Sequence, residues 1–126
     1  MDPGFLQIYK SNKKIGLGHV MRSLSLYSKI KQSNKKVVFL YFGSSKNAIS
    51  IIKKNVSSNE IVFSEKEDIV NEIINENTTI ILDMPENQKI SFDNNIKSRN
   101  VIVVFDFLKD FDFKKTIFYP NTRLKD

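Results

Sequence analysis

The sequence predicts a Rossmann-like three-layer α/β/α domain with a mostly parallel sheet, spanning residues 1–126 as a single domain. Three observations predict it. Apolar runs of strand length alternate regularly with segments of helical periodicity. Runs such as Val37-Val38-Phe39-Leu40-Tyr41-Phe42 are continuous rather than alternating, which suits strands covered on both faces. The chain of 126 residues is 40% hydrophobic and 27% charged, which is enough apolar material for one core and argues against wholesale disorder.

The elements follow in order. Phe5-Leu6-Gln7-Ile8-Tyr9 reads as the first strand. A helical pattern runs from about Gly18 to Lys31, with Val20, Leu24 and Tyr27 on one face and Met21 and Ile30 extending it. The run from Val37 to Phe42 is the second strand. Gly43-Ser44-Ser45 is a turn, and Ser45 caps a short helix ending near Lys54. Glu60-Ile61-Val62-Phe63 is a third strand. Ser64 followed by Glu67 is a capping-box pattern that opens a helix, with Ile69, Ile73 and Ile74 as its buried face. Thr79-Ile80-Ile81-Leu82-Asp83 and Val101-Ile102-Val103-Val104-Phe105-Asp106 are strands that each end in a carboxylate. Pro85 breaks the chain between them, and a weak helix is expected from Ser91 to Lys97. Thr116-Ile117-Phe118-Tyr119 is a sixth strand, closed by Pro120.

Composition excludes several function classes. With no cysteine, disulfide scaffolds, thiol nucleophiles and Cys-based zinc sites are out, and one histidine cannot build a multi-histidine metal centre. We therefore expect no metal and no cofactor. No apolar run reaches the ~20 residues of a membrane span, and the N-terminus lacks the basic start and cleavage site of a signal peptide, so the expected compartment is the cytoplasm. The net charge of +6 does not indicate a nucleic-acid partner. Lys, Asn and Ile dominate while Ala occurs once, at Ala48, as a coding bias toward A and T would produce. The lysines fall in scattered pairs rather than a stripe, and Arg22, Arg99 and Arg123 are few for a phosphate-reading surface.

The chemistry-bearing stretch is Ile15-Gly16-Leu17-Gly18-His19-Val20-Met21-Arg22-Ser23-Leu24, between a strand and a helix. Gly16 and Gly18 allow a tight turn and close approach of a ligand, and the helix start offers free N–H groups and positive potential to an anion. It is not the dinucleotide fingerprint, because Met21 stands at the third glycine position. His19 lies on the first turn, where positive potential favours a neutral imidazole able to act as a general base. Arg22, three residues on, is placed to hold a carboxylate or a phosphate. A parallel sheet puts functional groups at the carboxyl ends of its strands, which adds Asp83 and Asp106 as candidate site residues able to meet Arg22. The plainer alternative is that the glycines only make a turn, His19 caps it, and the two aspartates are turn acceptors.

The segment Gly16–Leu24, preceded by Ile15, resembles the N-terminal signature of the UDP-2,4-diacetamido-2,4,6-trideoxy-β-L-altropyranose hydrolases of pseudaminic acid biosynthesis. That family lies within a larger group of the GT-B glycosyltransferase fold. Asp83 after a strand, Phe105-Asp106 after the next, and Tyr119-Pro120-Asn121 near the end agree with the layout of its first lobe. The resemblance implies a fold equivalent to the N-terminal GT-B lobe, with the second, nucleotide-binding lobe absent from this chain. It implies removal of UDP from a UDP-sugar by water attack at the anomeric carbon. It makes His19 the base, and places Gly16, Leu17, Gly18, Arg22, Asp83 and Asp106 around the substrate. Three positions depart from the family pattern: Ile8-Tyr9-Lys10 stand where Arg-x-Asp is usual, Met84-Pro85 follow Asp83 where a tyrosine is usual, and Phe107 replaces a second aspartate. Two other readings stay open: the acceptor half of a split GT-B glycosyltransferase working with a second-lobe polypeptide, and a non-catalytic remnant of the family.

Overall fold

The structure, a computed structural model, describes residues 4–10, 17–83, 90–105 and 112–119. The chain runs β1 (Phe5–Lys10), α1 (Leu17–Gln32), β2 (Val37–Phe42), α2 (Lys46–Asn55), a 3-10 turn (Ser58–Glu60), β3 (Ile61–Ser64), α3 (Ile69–Ile73), β4 (Thr79–Leu82), α4 (Asn94–Arg99), β5 (Val101–Phe105) and β6 (Lys115–Tyr119). The strands form a sheet of order β3-β2-β1-β4-β5-β6, and every neighbouring pair is parallel. This is a Rossmann-like α/β domain. The order reverses between β1 and β4, the switch point whose strand carboxyl ends form the ligand crevice in open parallel sheets.

Side-chain alternation along the strands divides the core in two. Leu6 and Ile8 of β1 join Val38, Leu40, Ile80, Leu82, Ile102 and Val104 on one face, packed by Val70 and Ile73 of α3 and Ile96 of α4. Tyr9 joins Phe39 and Tyr41 on the other face, packed by Val20, Leu24 and Tyr27 of α1 and by Ala48 and Ile52 of α2. Right-handed crossovers produce this division, because α1 and α2 lead outward in one direction along the sheet while α3 and α4 lead in the other. Among the described residues, no helix is long and apolar enough to cross a membrane.

Gln7 breaks the apolar pattern of β1. It is fully buried, and its Nε2 donates to the Ser23 carbonyl at 2.7 Å and to Ser23 Oγ at 3.0 Å. A polar pair in this position fixes both the rotation and the height of α1 against the central strand. The other end of α1 is tied as well. Tyr27 OH donates to Glu60, Lys31 Nζ donates to Glu60 Oε2 at 2.7 Å, and the Ser57 N–H donates to the Tyr27 oxygen. Asn34, at φ 60°, then turns the chain out of the helix in the left-handed conformation that Asn tolerates.

The sequence expectations are met at Ser45, whose side chain accepts from the Ala48 N–H as an N-cap. The helix expected over Ser91–Lys97 runs from Asn94 to Arg99, and α3 buries Val70 and Ile73 while Ile69 is only partly buried. Two further expectations fail. Met21 does not extend the buried face of α1: it is 50% exposed, because Val20, Leu24 and Tyr27 already define a stripe that excludes it. Ser64 does not form a capping box with Glu67. Its hydroxyl closes a local turn with Lys66, accepting from the N–H and donating to the carbonyl, while Glu67 pairs with Lys10 at 3.7 Å. The following helix therefore starts only at Ile69 and is 5 residues long.

Two outcomes are expected. Replacing Gln7 with alanine removes both bonds to Ser23 and leaves a cavity beside α1, and urea denaturation should report a loss of about 2–4 kcal/mol. The Glu60 cluster sets a pH dependence. Burial pushes the Glu60 carboxyl up, but the bonds from Lys31 and Tyr27 outweigh it and hold the group below the ordinary carboxylate value. A depressed carboxylate stabilises the fold above its unfolded pKa and loses that contribution as pH falls through its folded one. The stability difference between wild type and Glu60→Gln should therefore be full at neutral pH and shrink as pH falls below about 4. Burial and the Glu60 bond hold the Tyr27 phenol above its usual value, and the same carboxylate raises Lys31. These contributions are present below the ordinary pKa values of the two groups and disappear as pH rises through the folded ones, so the fold should weaken in strong alkali.

Candidate functional site

The carboxyl ends of β1 and β4 lie side by side, with Ile8 registered against Leu82. Asp83 is the first residue past β4. Its N–H still donates to the Ile8 carbonyl at 3.2 Å, so the ladder pins its backbone. Leu82 belongs to the face packed by α3 and α4, so alternation turns Asp83 toward the α1 side. There it is completely buried.

His19 approaches from the other strand of the crevice. It sits in the first turn of α1, one turn before Ser23, so the Gln7–Ser23 bonds set its height above the sheet. Its Nε2 lies 3.9 Å from Asp83 Oδ1, and its side chain is 14% exposed against 0% for Asp83. A carboxylate withdrawn this far from water needs a compensating positive or polar partner, and the imidazole lies within ion-pair distance. The imidazole ring also stacks on Tyr9, with centroids 5.4 Å apart and planes at 18°. Arg22, three residues further along α1, is partly buried with its Nε withdrawn from solvent.

The structure thus brings together His19 and Asp83 and keeps Arg22 on the same helix. Leu17 and Gly18 form the first turn of α1 by their backbone. Gly16 and Asp106 lie outside the described residues. The pairing of Asp83 with His19 is one that sequence reasoning did not name. It also missed Tyr9, which reads as an ordinary core residue at the end of a strand. The available signal was alternation, which puts Phe5, Gln7 and Tyr9 on the face that α1 covers. Among the described residues, no group of three or more His, Asp or Glu side chains is arranged to hold a metal ion.

Chemically, a mostly buried imidazole beside a fully buried carboxylate is a proton-accepting device. When the ring takes a proton, the charge it gains faces Asp83 rather than bulk water. The start of α1 adds backbone N–H groups that have no acceptor within the helix and the positive end of a 16-residue helix, with no acidic residue in its first turn to offset it. An imidazole able to take a proton and a helix end able to receive an anion therefore share one edge of the sheet.

Comparison with family models, curated proteins and solved structures found no match to this chain.

The pairing of His19 with Asp83 has a direct check, since the chain contains one histidine and its imidazole signals need no assignment. A carboxylate within ion-pair distance favours imidazolium over imidazole. Asp83→Asn should lower the midpoint of the His19 titration followed by NMR. An unchanged midpoint in the folded variant would mean that the two groups do not interact.

Proposed function

We propose that this chain is the N-terminal, GT-B-like lobe of a UDP-sugar hydrolase of the group its Gly16–Leu24 segment resembles. The observation that carries the reading is the meeting of His19 and Asp83 at the reversal point of the sheet. Open parallel sheets bind their ligands at this place. The motif residue that the resemblance makes the base is also the one that the fold equips with a buried counter-charge.

In this reading His19 takes a proton from water as the water oxygen bonds to the anomeric carbon of the sugar. The bond from that carbon to the diphosphate oxygen breaks, and UDP leaves with the bonding electrons. With Nε2 turned toward Asp83, the accepting nitrogen is Nδ1, and the imidazolium that results is balanced by the Asp83 carboxylate. The Gly16–Gly18 turn and the α1 N-terminus approach the sugar and the diphosphate, and Arg22 supplies positive charge on the same helix. The nucleotide's remaining contacts come from a second lobe of the GT-B kind. The pathway the resemblance implies is pseudaminic acid or polysaccharide biosynthesis through a deoxyamino sugar.

The test is UDP release from a panel of UDP-sugars by the full chain, alone and with a candidate second-lobe polypeptide. His19→Ala should lower release by about 100-fold or more while UDP-sugar binding persists. Equal release by both proteins would remove His19 from the chemistry. Absence of both release and binding for every sugar would favour a remnant that keeps only the fold. Release that requires an added sugar or lipid-linked hydroxyl acceptor would make the protein half of a transferase, with the same imidazole deprotonating a hydroxyl instead of water.

A further inference from the structure

We propose that Tyr9 is a positioning residue for His19, its ring face fixing the plane of the imidazole at the crevice. The proposal rests on the reading of His19 as proton acceptor, but the contact itself is independent of any substrate.

Tyr9 is 1% exposed and lies on the α1 face of the central strand. Its near-parallel stack on His19, at 5.4 Å and 18°, is the contact that a broad, flat surface provides and a branched aliphatic side chain does not. Tyr9 is itself held. Its registered neighbour in β2 is Tyr41, fully buried and stacked on it at 5.5 Å and 23°. The registered neighbour of Tyr41 in β3 is Phe63, which meets it edge-on at 6.1 Å and 87°. Lys53 of α2 places its Nζ 5.8 Å from the Phe63 ring. One register line across three strands is therefore aromatic, and it ends against the imidazole.

Such a row does more than fill space. Parallel pairing sets registered side chains side by side, so the ring of Tyr9 cannot turn without displacing Tyr41. A histidine on the first turn of a helix otherwise has rotational freedom about both side-chain bonds. Stacking on a fixed ring removes that freedom before a substrate arrives, and Asp83 then selects which edge of the ring faces inward. Holding a base in its working orientation in advance is worth one to two orders of magnitude in rate.

The experiment compares Tyr9→Phe, which keeps the ring face, with Tyr9→Leu, which removes it, in the full chain. The readout is the carbon relaxation of the single imidazole, which reports its orientational order without substrate. Wild type and Tyr9→Phe should show a rigid ring, and Tyr9→Leu an order parameter below about 0.6 with the fold retained by circular dichroism. Where UDP release is measurable, Tyr9→Leu should lower kcat about 10- to 100-fold with KM little changed, and Tyr9→Phe should restore it. Should Tyr9→Leu fail to fold, Tyr9→Met, unbranched and adaptable in packing, makes the same comparison. An imidazole as rigid in the folded Leu or Met variant as in wild type overturns the proposal. So does a Tyr9→Phe ring as mobile as in Tyr9→Leu, which would assign the effect to the hydroxyl. Ring order that follows Tyr9 in a protein releasing no UDP would overturn the hydrolase reading alone.

Discussion

Gln7 places an amide in the middle of a strand that is otherwise apolar, and its two bonds to Ser23 seat the first helix on the sheet. A purely apolar contact would permit α1 to rotate or slide by a fraction of a turn at small cost, because dispersion and area burial have little directionality. A buried amide does not permit it. Breaking its bonds leaves polar groups of both partners without compensation in a site closed to water. The position of everything else on α1 then follows from helix geometry. His19 is one turn toward the N-terminus from Ser23, at the carboxyl edge of the sheet, and Tyr27 is one turn toward the C-terminus, over Phe39.

The second constraint is topological. Because β4 follows β3 in sequence but lies beside β1, the residue after β4 and the helix after β1 come together although they are far apart in the chain. Asp83 can be fully buried there because its backbone continues the ladder to Ile8 and its side chain meets an imidazole. Elsewhere on this sheet the same carboxylate would face apolar residues and destabilise the fold. The site is thus where an otherwise unfavourable buried charge becomes tolerable, and it becomes so by having a protonatable group beside it. A structural role and a chemical role are compatible in such a pair, since a counter-charge that favours imidazolium is what a base needs after it has accepted a proton.

The fold was legible in the sequence because a parallel sheet covered on both sides writes itself as continuous apolar runs. Val37–Phe42 is the clearest case: all six of its residues are buried. Ser45 was legible because an N-cap acts over three residues. The errors occurred where two local signals competed. Ser64 has hydrogen-bonding partners both two and three residues on, and the turn to Lys66 won, leaving Glu67 to pair with Lys10 on another strand. Met21 fitted a loose reading of the helical stripe, but the groove beneath α1 is filled by Val20, Leu24 and Tyr27. At the site, His19 and Asp83 were each nameable from position at an element end. That they face one another depends on strand order and face alternation together. For Tyr9 alternation gave only the face: its contact with His19 depends on register with Tyr41 and on the height of α1, neither of which has a local sequence signature.

Taken together, α1 is fixed at three heights by three different kinds of force. Aromatic stacking on Tyr9 holds its first turn, the Gln7 amide holds its middle, and the Glu60 carboxylate holds its last turns through Tyr27 and Lys31. Stacking constrains ring planes, the buried amide constrains axial position, and the partly exposed ion pair constrains the swing of the far end. These constraints differ in their dependence on the medium. The Glu60 cluster is the most exposed and the most sensitive to pH and salt, whereas the Gln7 amide is buried and does not titrate. Acid that releases the far end of α1 therefore leaves the end carrying His19 still anchored. The helix loosens first at the end away from the crevice, because the non-titrating Gln7 amide still holds its middle at the height that places His19 beside Asp83.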